Sequence, residues 1–147
     1  MNTDELYHTA ILDLSRTQHG YGELECATAS ATEANRVCGD SVRVFVRVEH
    51  DVMQEMSFTG RSCALSTAST ALLTVLAQGK TPAEILALRT AFEQFLRSEL
   101  ASAPLTDLQI FDGVRTTPSR IKCVLLGWNA LQSALQQSST QFPTTSA

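Results

Sequence analysis

Residues 41–48 read Ser-Val-Arg-Val-Phe-Val-Arg-Val, with a valine at every second position. Successive side chains of an extended chain point to opposite faces. Val42, Val44, Val46 and Val48 therefore line one face of a strand, and Ser41, Arg43, Phe45 and Arg47 line the other. A helix would scatter the four valines around its circumference, so this stretch commits the chain to a sheet that is buried on at least one face. Glu49-His50-Asp51 supplies a turn. Val52–Thr59 then returns with Val52, Met56 and Phe58 on one parity, which predicts an antiparallel hairpin. Leu24–Thr28 reads as a further, weak strand, and Ser30–Arg36 as a polar connection.

Something must cover the valines, and the rest of the chain is helical in pattern. Thr3–Gln18 places Leu6, Ala10, Ile11 and Leu14 on one face, after an Asn2/Thr3 cap and with Asp4 and Glu5 in the first turn. A turn follows at His19–Gly22. From Ala64 an Ala- and Leu-rich run closes at Gly79, a C-cap residue. Thr81-Pro82-Ala83-Glu84 carries an N-cap, a proline at the first helical position and a capping-box glutamate. The helix it opens buries Ile85, Leu88, Phe92, Phe95 and Leu96. Residues 101–118 read as a loop with one helical turn. A last helix runs from Ser119 to Gln137 through Ile121, Leu125, Trp128, Leu131 and Leu135. Strands first and helices after predict an α+β fold, a small antiparallel β-sheet packed against several α-helices. At 147 residues and 44% hydrophobic, the chain suffices for one domain over residues 1–137, with 138–147 as a disordered tail.

Charge excludes some partners. Eleven Lys and Arg against fifteen Asp and Glu give a net charge of −4. Seven of the eleven basic residues lie between Arg61 and Lys122 without forming a run, which argues against a nucleic-acid partner. The acidic start MNTDELYHTA has no basic segment followed by an apolar one, and no apolar run reaches bilayer length. The expectation is a soluble, cytoplasmic protein with no membrane partner.

The cysteines are Cys26, Cys38, Cys63 and Cys123. A chain with this much apolar content and no export signal does not need a disulfide framework, and no pair has Cys-x-x-Cys spacing. Cys26 sits on the alternation of the weak strand and reads as structural. The other three fall at junctions: Cys38 before the valine strand, Cys63 where the hairpin gives way to a helix, and Cys123 in the first turn of the last helix. Any one of them alone reads as core packing, since free cysteine behaves as a small hydrophobe. Three at junctions point instead to thiolates favoured by helix amino termini. Asp40 adds an oxygen donor beside Cys38, across a glycine that frees the backbone. Three thiolates and one carboxylate complete a four-ligand zinc set of formal charge −2, which Arg120 and Lys122 can offset.

Asn-Arg-Val-Cys-Gly-Asp (35–40), Gly-Arg-Ser-Cys-Ala-Leu-Ser-Thr-Ala-Ser (60–69) and Pro-Ser-Arg-Ile-Lys-Cys-Val-Leu-Leu-Gly-Trp (118–128) resemble the three cysteine motifs of the iron–sulfur assembly family that includes IscU, the amino-terminal domain of NifU, and SufU. The resemblance runs from the first helix to Trp128. It is nearer to the SufU branch: the scaffold branch has a histidine before its third cysteine, where this chain has Lys122, and its Leu-Pro-Pro-Val-Lys chaperone-recognition segment is missing. The helical stretch between Cys63 and Cys123 is similar to the insertion of the SufU branch. Arg36 stands where the family often has proline, which alters loop stiffness and removes no ligand.

The resemblance implies a SufE/NifU-like fold and zinc held by Cys38, Asp40, Cys63 and Cys123. It also implies a sulfurtransferase that takes persulfide sulfur from a PLP-dependent, SufS-like cysteine desulfurase and passes it to a downstream iron–sulfur scaffold. Cys38, on the glycine-containing turn, is the expected sulfur acceptor, and Arg120 an auxiliary that binds the partner or stabilises the thiolate. Two other readings stand beside this one: an IscU-type scaffold that assembles a [2Fe–2S] cluster on the same thiolates, and a structural zinc module that only binds a partner.

Overall fold

The computed structural model describes residues 3–141. Helix α1 (Thr3–Thr17) precedes strands β1 (Ala29–Asn35), β2 (Asp40–Glu49) and β3 (Val52–Arg61). Helices α2 (Ala64–Leu76) and α3 (Pro82–Leu96) follow, then a 3₁₀ segment (Thr106–Thr116), a 3₁₀ turn (Pro118–Arg120) and α4 (Ile121–Gln141). The three strands form one antiparallel sheet in the order β1-β2-β3. The α+β class predicted from the order of elements is the one observed. No helix among the described residues is long and apolar enough to cross a membrane.

The alternating valines behave as predicted, with Val42, Val44 and Val46 at 0–1% exposure. On the opposite face Phe45 is also buried, with the Arg43 guanidinium lying 5.0 Å from its ring centroid. The hairpin turn is made by His50 and Asp51, at φ 55° and 60°. Two successive left-handed residues match the right-handed twist of the strands they join. One detail differs from the parity reading. Arg47 pairs with Glu55 but Val48 pairs with Met53, so Gln54 is an extra residue. This bulge turns Met53 into the core at 1% exposure and leaves Val52 half-buried.

The third strand is not where the sequence suggested. Leu24–Thr28 forms no strand, and Cys26, expected to be structural within it, is exposed in a turn. The strand is Ala29–Asn35, the stretch that reads as a connection. Apart from Thr32, its Ala, Ser, Glu and Asn residues have little β preference of their own. Pairing with β2 in register from Ala29↔Val46 to Asn35↔Asp40 creates it. Small side chains at Ala29 and Ala31 suit the close passage of α4, and the Ser133 hydroxyl donates to Glu33 Oε1 at 3.2 Å.

Helix α4 lies on the inner face of β1 and β2 and against α2. At the α2–α4 crossing the Ser69 hydroxyl donates to the Val124 carbonyl at 2.7 Å and accepts from Trp128 Nε1 at 2.9 Å. Trp128 leans on Phe92 of α3, with centroids 5.0 Å apart, and Phe92 meets Phe111 of the 3₁₀ segment edge-on at 5.8 Å. The predicted capping box of α3 is present, Thr81 and Glu84 each bonding the other's backbone N–H. Residues 101–118 hold more structure than the predicted single turn. Leu108, Phe111 and Val114 recur every third residue and are buried, the period of a 3₁₀ helix. Arg115 fastens this segment, donating to the Leu100 and Ala101 carbonyls and lying 4.6 Å over Phe95.

The first helix is held more loosely. None of its residues is fully buried, and Leu6, expected to face inward, is 53% exposed, while Ile11 and Leu14 pack on the core edge. Helix α4 continues past the predicted end at Gln137 to Gln141, and of the tail expected to be disordered, residues 142–147 lie outside the described residues.

Gly127 faces Thr70, and a Cβ placed there would collide with the Thr70 hydroxyl and methyl. Thr70 cannot swing aside easily, because its hydroxyl is bonded to the Ser66 carbonyl at 2.8 Å in a fully buried setting. Gly127→Ala should therefore destabilise the protein by about 1–3 kcal/mol by overpacking, against the roughly 1 kcal/mol that alanine gains over glycine inside a helix. Urea unfolding of Gly127→Ala alone and combined with Thr70→Ala checks this: the second change should recover part of the loss.

Candidate metal centre

The three junction cysteines come together at one end of the sheet. Cys38 lies in the β1–β2 turn, which closes when Gly39 N–H donates to the Asn35 carbonyl at 2.9 Å and Val37 N–H donates to Asn35 Oδ1 at 3.2 Å. Gly39 at φ +74° supplies the left-handed step that returns the chain into β2. This leaves Cys38 exposed and Asp40, the first residue of β2, 9% exposed. Cys63 is the N-cap residue of α2, in an extended conformation and half-buried. Cys123 is the third residue of α4 and is 4% exposed.

The Cys38 and Cys123 sulfurs and a carboxylate oxygen of Asp40 all lie within 4.8 Å of one another. Cys63 stands on the wall of the same cavity, outside that mutual cluster. The cavity is open, about 500 Å³ in volume, and Asn35, Val37, Ser119, Arg120 and Lys122 complete its lining. Asp40 ties the fourth residue to the others, because its Oδ2 accepts the Cys63 backbone N–H at 3.3 Å. That N–H is one of those a helix start leaves without an intrahelical partner. The sequence reading thus names the four residues that meet here, while Asn35, Val37 and Ser119 escaped it. Asn35 had an available signal, an Asn opening a glycine-containing turn; Val37 and Ser119 had none.

Burial first, and then the neighbouring Cys63 and Cys38, push the Cys123 thiol up to about 12. Each thiolate formed here discourages the next, so three ionised sulfurs need a compensating positive charge. Arg120 and Lys122 are exposed on the rim and make no ion pair among the described residues. Arg120 also borders a second cavity of about 410 Å³ between α1 and the 3₁₀ segment. A soft–hard donor set of three sulfurs and one oxygen lining one cavity fits a divalent metal of zinc type.

Fold and site define a class: small α+β domains in which three cysteines and an aspartate from three separate junctions converge at the end of a three-stranded antiparallel sheet. Residues 6–142 match the NifU-like N terminal domain, and the chain belongs to that family. It is 33% identical over 137 residues to the "Iron-sulfur cluster assembly scaffold protein IscU" of Streptococcus pyogenes serotype M1, covering 92% of this chain and 86% of that protein. It is 29% identical over 136 residues to the "Zinc-dependent sulfurtransferase SufU" of Bacillus subtilis, covering 91% and 92%. Among solved structures, the amino-terminal NifU-like protein of Brucella abortus superposes with a TM-score of 0.86 at 26% identity, over 94% of this chain and 97% of that one.

Two outcomes follow from this geometry. Removing the Asp40 carboxylate uncaps α2, so Asp40→Ala should cost about 0.5–2 kcal/mol and keep a cooperative thermal transition, while Asp40→Asn, which retains an acceptor, should cost less. Calorimetry of the two chelated variants checks the order. In the chelated wild-type protein at pH 8, exposed Cys26 and Cys38 should be alkylated first and Cys123 last, because its thiol is both buried and protonated there; peptide mapping over time would reveal any other order.

Proposed function

We propose that this protein is a zinc-dependent sulfurtransferase that accepts persulfide sulfur from a PLP-dependent cysteine desulfurase and hands it to iron–sulfur cluster assembly in the cytoplasm. The observation that carries this reading is the unequal tethering of three thiols in one open cavity. Cys63 and Cys123 are fixed at helix starts, whereas Cys38 is exposed on a turn that pivots at Gly39. Cys38, Asp40, Cys63 and Cys123 would hold the metal. Bound zinc supplies the positive charge that keeps thiols ionised at neutral pH. The SufU of Bacillus subtilis, named for zinc and for sulfur transfer, supports the choice of metal and reaction.

In the transfer step the Cys38 thiolate attacks the terminal sulfur of the donor's cysteine persulfide. A sulfur–sulfur bond forms to Cys38, the donor's sulfur–sulfur bond breaks, and the donor cysteine leaves as thiolate, so Cys38 ends as a persulfide with no net oxidation. Asp40 holds Cys63 in place through its N–H bond while Cys38 moves. Arg120, at the rim, is positioned to attract an anionic sulfur or a partner carboxylate. The downstream scaffold then takes the sulfur from the exposed turn.

One observation favours a second reading, assembly of a [2Fe–2S] cluster as cargo on the same thiols: the relative from Streptococcus pyogenes bears a scaffold name and is the more similar of the two in sequence. Lys122, where the scaffold branch has histidine, favours sulfur transfer. The two part experimentally. Sulfur transfer predicts a colourless protein with about one zinc per chain, while assembly of a cluster under anaerobic reconstitution would give a brown one. After incubation with desulfurase and cysteine, mass spectrometry should find an added sulfur on Cys38, abolished in Cys38→Ala and retained in part in Cys63→Ala and Cys123→Ala, whose main loss should be zinc. Sulfur that still appears on Cys38→Ala, or maps to Cys63 or Cys123, would overturn the assignment of the acceptor.

A further inference from the structure

Strand β3 has β2 on one side and no further strand on the other, and two loops cover that free edge in part. At Phe58 the loop after α1 comes alongside: Phe58 N–H donates to the Gly20 carbonyl at 3.0 Å and Gly22 N–H donates to the Phe58 carbonyl at 2.7 Å. At Met53 the loop after α2 does the same, Met53 N–H donating to the Lys80 carbonyl at 2.8 Å and Gly79 N–H to the Met53 carbonyl at 2.9 Å. Between the two a gap is left. Backbone groups of successive strand residues face alternate sides. Since Phe58 faces away from β2, Ser57 faces β2 and Met56 faces away again. Between the bulge at Gln54 and Phe58, Met56 alone turns its N–H and C=O outward, and nothing among the described residues bonds to them. Met56 is nevertheless only 6% exposed.

The gap belongs to a cavity of about 520 Å³, lined also by Gly20, Gly22 and Gln78. One wall is fixed, because Gly20, at φ +82°, lies so close to Thr74 that a Cβ would strike its hydroxyl and methyl. Ser57 lines the same cavity and keeps a hydroxyl that is buried and has no partner. His19 contributes an acceptor. Thr74 Oγ1 gives its one proton to the Ala71 carbonyl at 2.6 Å, so at 3.0 Å from His19 Nδ1 it accepts, and Nε2 is left as the acceptor of the neutral ring. Charges of both signs complete the lining: Arg47 and Glu55 bond each other at 3.2 Å, and Glu23 makes no ion pair among the described residues. A buried hydroxyl and an edge N–H and C=O left unpaired together are a cost that a ligand removes.

We propose that this gap binds a free α-amino acid with a small polar side chain. One residue of β3 is uncovered, so its complement is one residue of an opposing strand, and a free amino acid is such a residue with charged ends. The carboxylate accepts from Met56 N–H and the Ser57 hydroxyl. The ammonium donates to the Met56 carbonyl, with Glu23 and His19 Nε2 as further acceptors. Residues paired in this way carry their side chains on one face of the sheet. For Met56 that is the core face, where Thr74 and Gln78 of the α2 end line the cavity and favour a polar side chain. The site shares no residue with the metal centre and does not depend on the sulfur-transfer reading.

The test follows backbone amide NMR signals of the full, zinc-loaded chain while L-serine is added. Saturable shifts centred on Met56, Ser57 and Gly22 are expected. N-acetyl-L-serine, which lacks the ammonium, and L-serinamide, which lacks the carboxylate, should each bind about tenfold more weakly. Gln78→Trp, at an exposed position on the cavity wall, should fill the space and abolish the shifts. Ser57→Ala should weaken binding severalfold, yet leave the urea midpoint without amino acid unchanged or raised, because the hydroxyl it removes has no partner there. Shifts that never saturate, shifts centred on Cys38, Cys63 and Cys123, equal binding of the blocked analogues, or parent-like binding by either variant would overturn the site. A lowered urea midpoint in Ser57→Ala would overturn the part given to that hydroxyl.

Discussion

A single hydroxyl sets the relation between the two helices that carry the buried half of the site. Ser69, fully buried in α2, gives its proton to the Val124 carbonyl and takes one from the Trp128 indole, both on α4. Each bond is worth only about 1 kcal/mol net, but leaving such groups unpaired in the core costs more, so sliding α4 along α2 is strongly resisted. Gly127 permits the close approach and Trp128 passes the contact on to Phe92 and Phe111. Since Val124 adjoins Cys123, and Ser69 lies less than two turns beyond Cys63, fixing this crossing also fixes where the two helix starts stand relative to each other.

Local patterns are legible in the sequence, and pairings between distant segments are not. The valine alternation, the capping box at Thr81 and the apolar spacing of α4 are local patterns that need no partner to be recognised. Strand β1 is the opposite case: Ala-Ser-Ala-Thr-Glu-Ala-Asn becomes extended because β2 offers it an edge and α4 needs something small beneath it. The 3₁₀ segment hid because its period of three, in Leu108, Phe111 and Val114, matches neither the strand nor the α-helix pattern among glycine and polar residues. The bulge at Gln54 changed Val52 for Met53 because one extra residue flips a strand's parity.

For the site, position within the chain was the readable signal. Cysteines at a turn, a helix N-cap and a helix start differ in what tethers them, and that difference can be read from neighbouring glycine and capping residues. Their mutual placement could not be read. The distance between Cys38 and Cys123 depends on β2 and α4 sharing a core, and the offset of Cys63 from the mutual cluster depends on the first turn of α2. Cys26 alternates with its neighbours in a stretch that forms no strand, and it is exposed in a turn.

Asp40 joins the two halves of this picture. It is the last residue of the site before the chain enters the core strand and the acceptor for the first exposed N–H of α2. One of its oxygens is thus committed to architecture while the carboxylate still belongs to the donor cluster. Under the proposed transfer, the thiol on the Gly39-containing turn would leave while the other two stay grouped. Neither the strand-to-helix link through Asp40 nor the Ser69 crossing involves the Cys38 side chain. Departure of Cys63 or Cys123 would instead have to unwind a helix start or withdraw a buried side chain. Under the proposed transfer, the division of labour among chemically identical side chains would follow from their backbones: two cysteines sit at helix starts, and one sits on a turn whose glycine adopts a left-handed conformation.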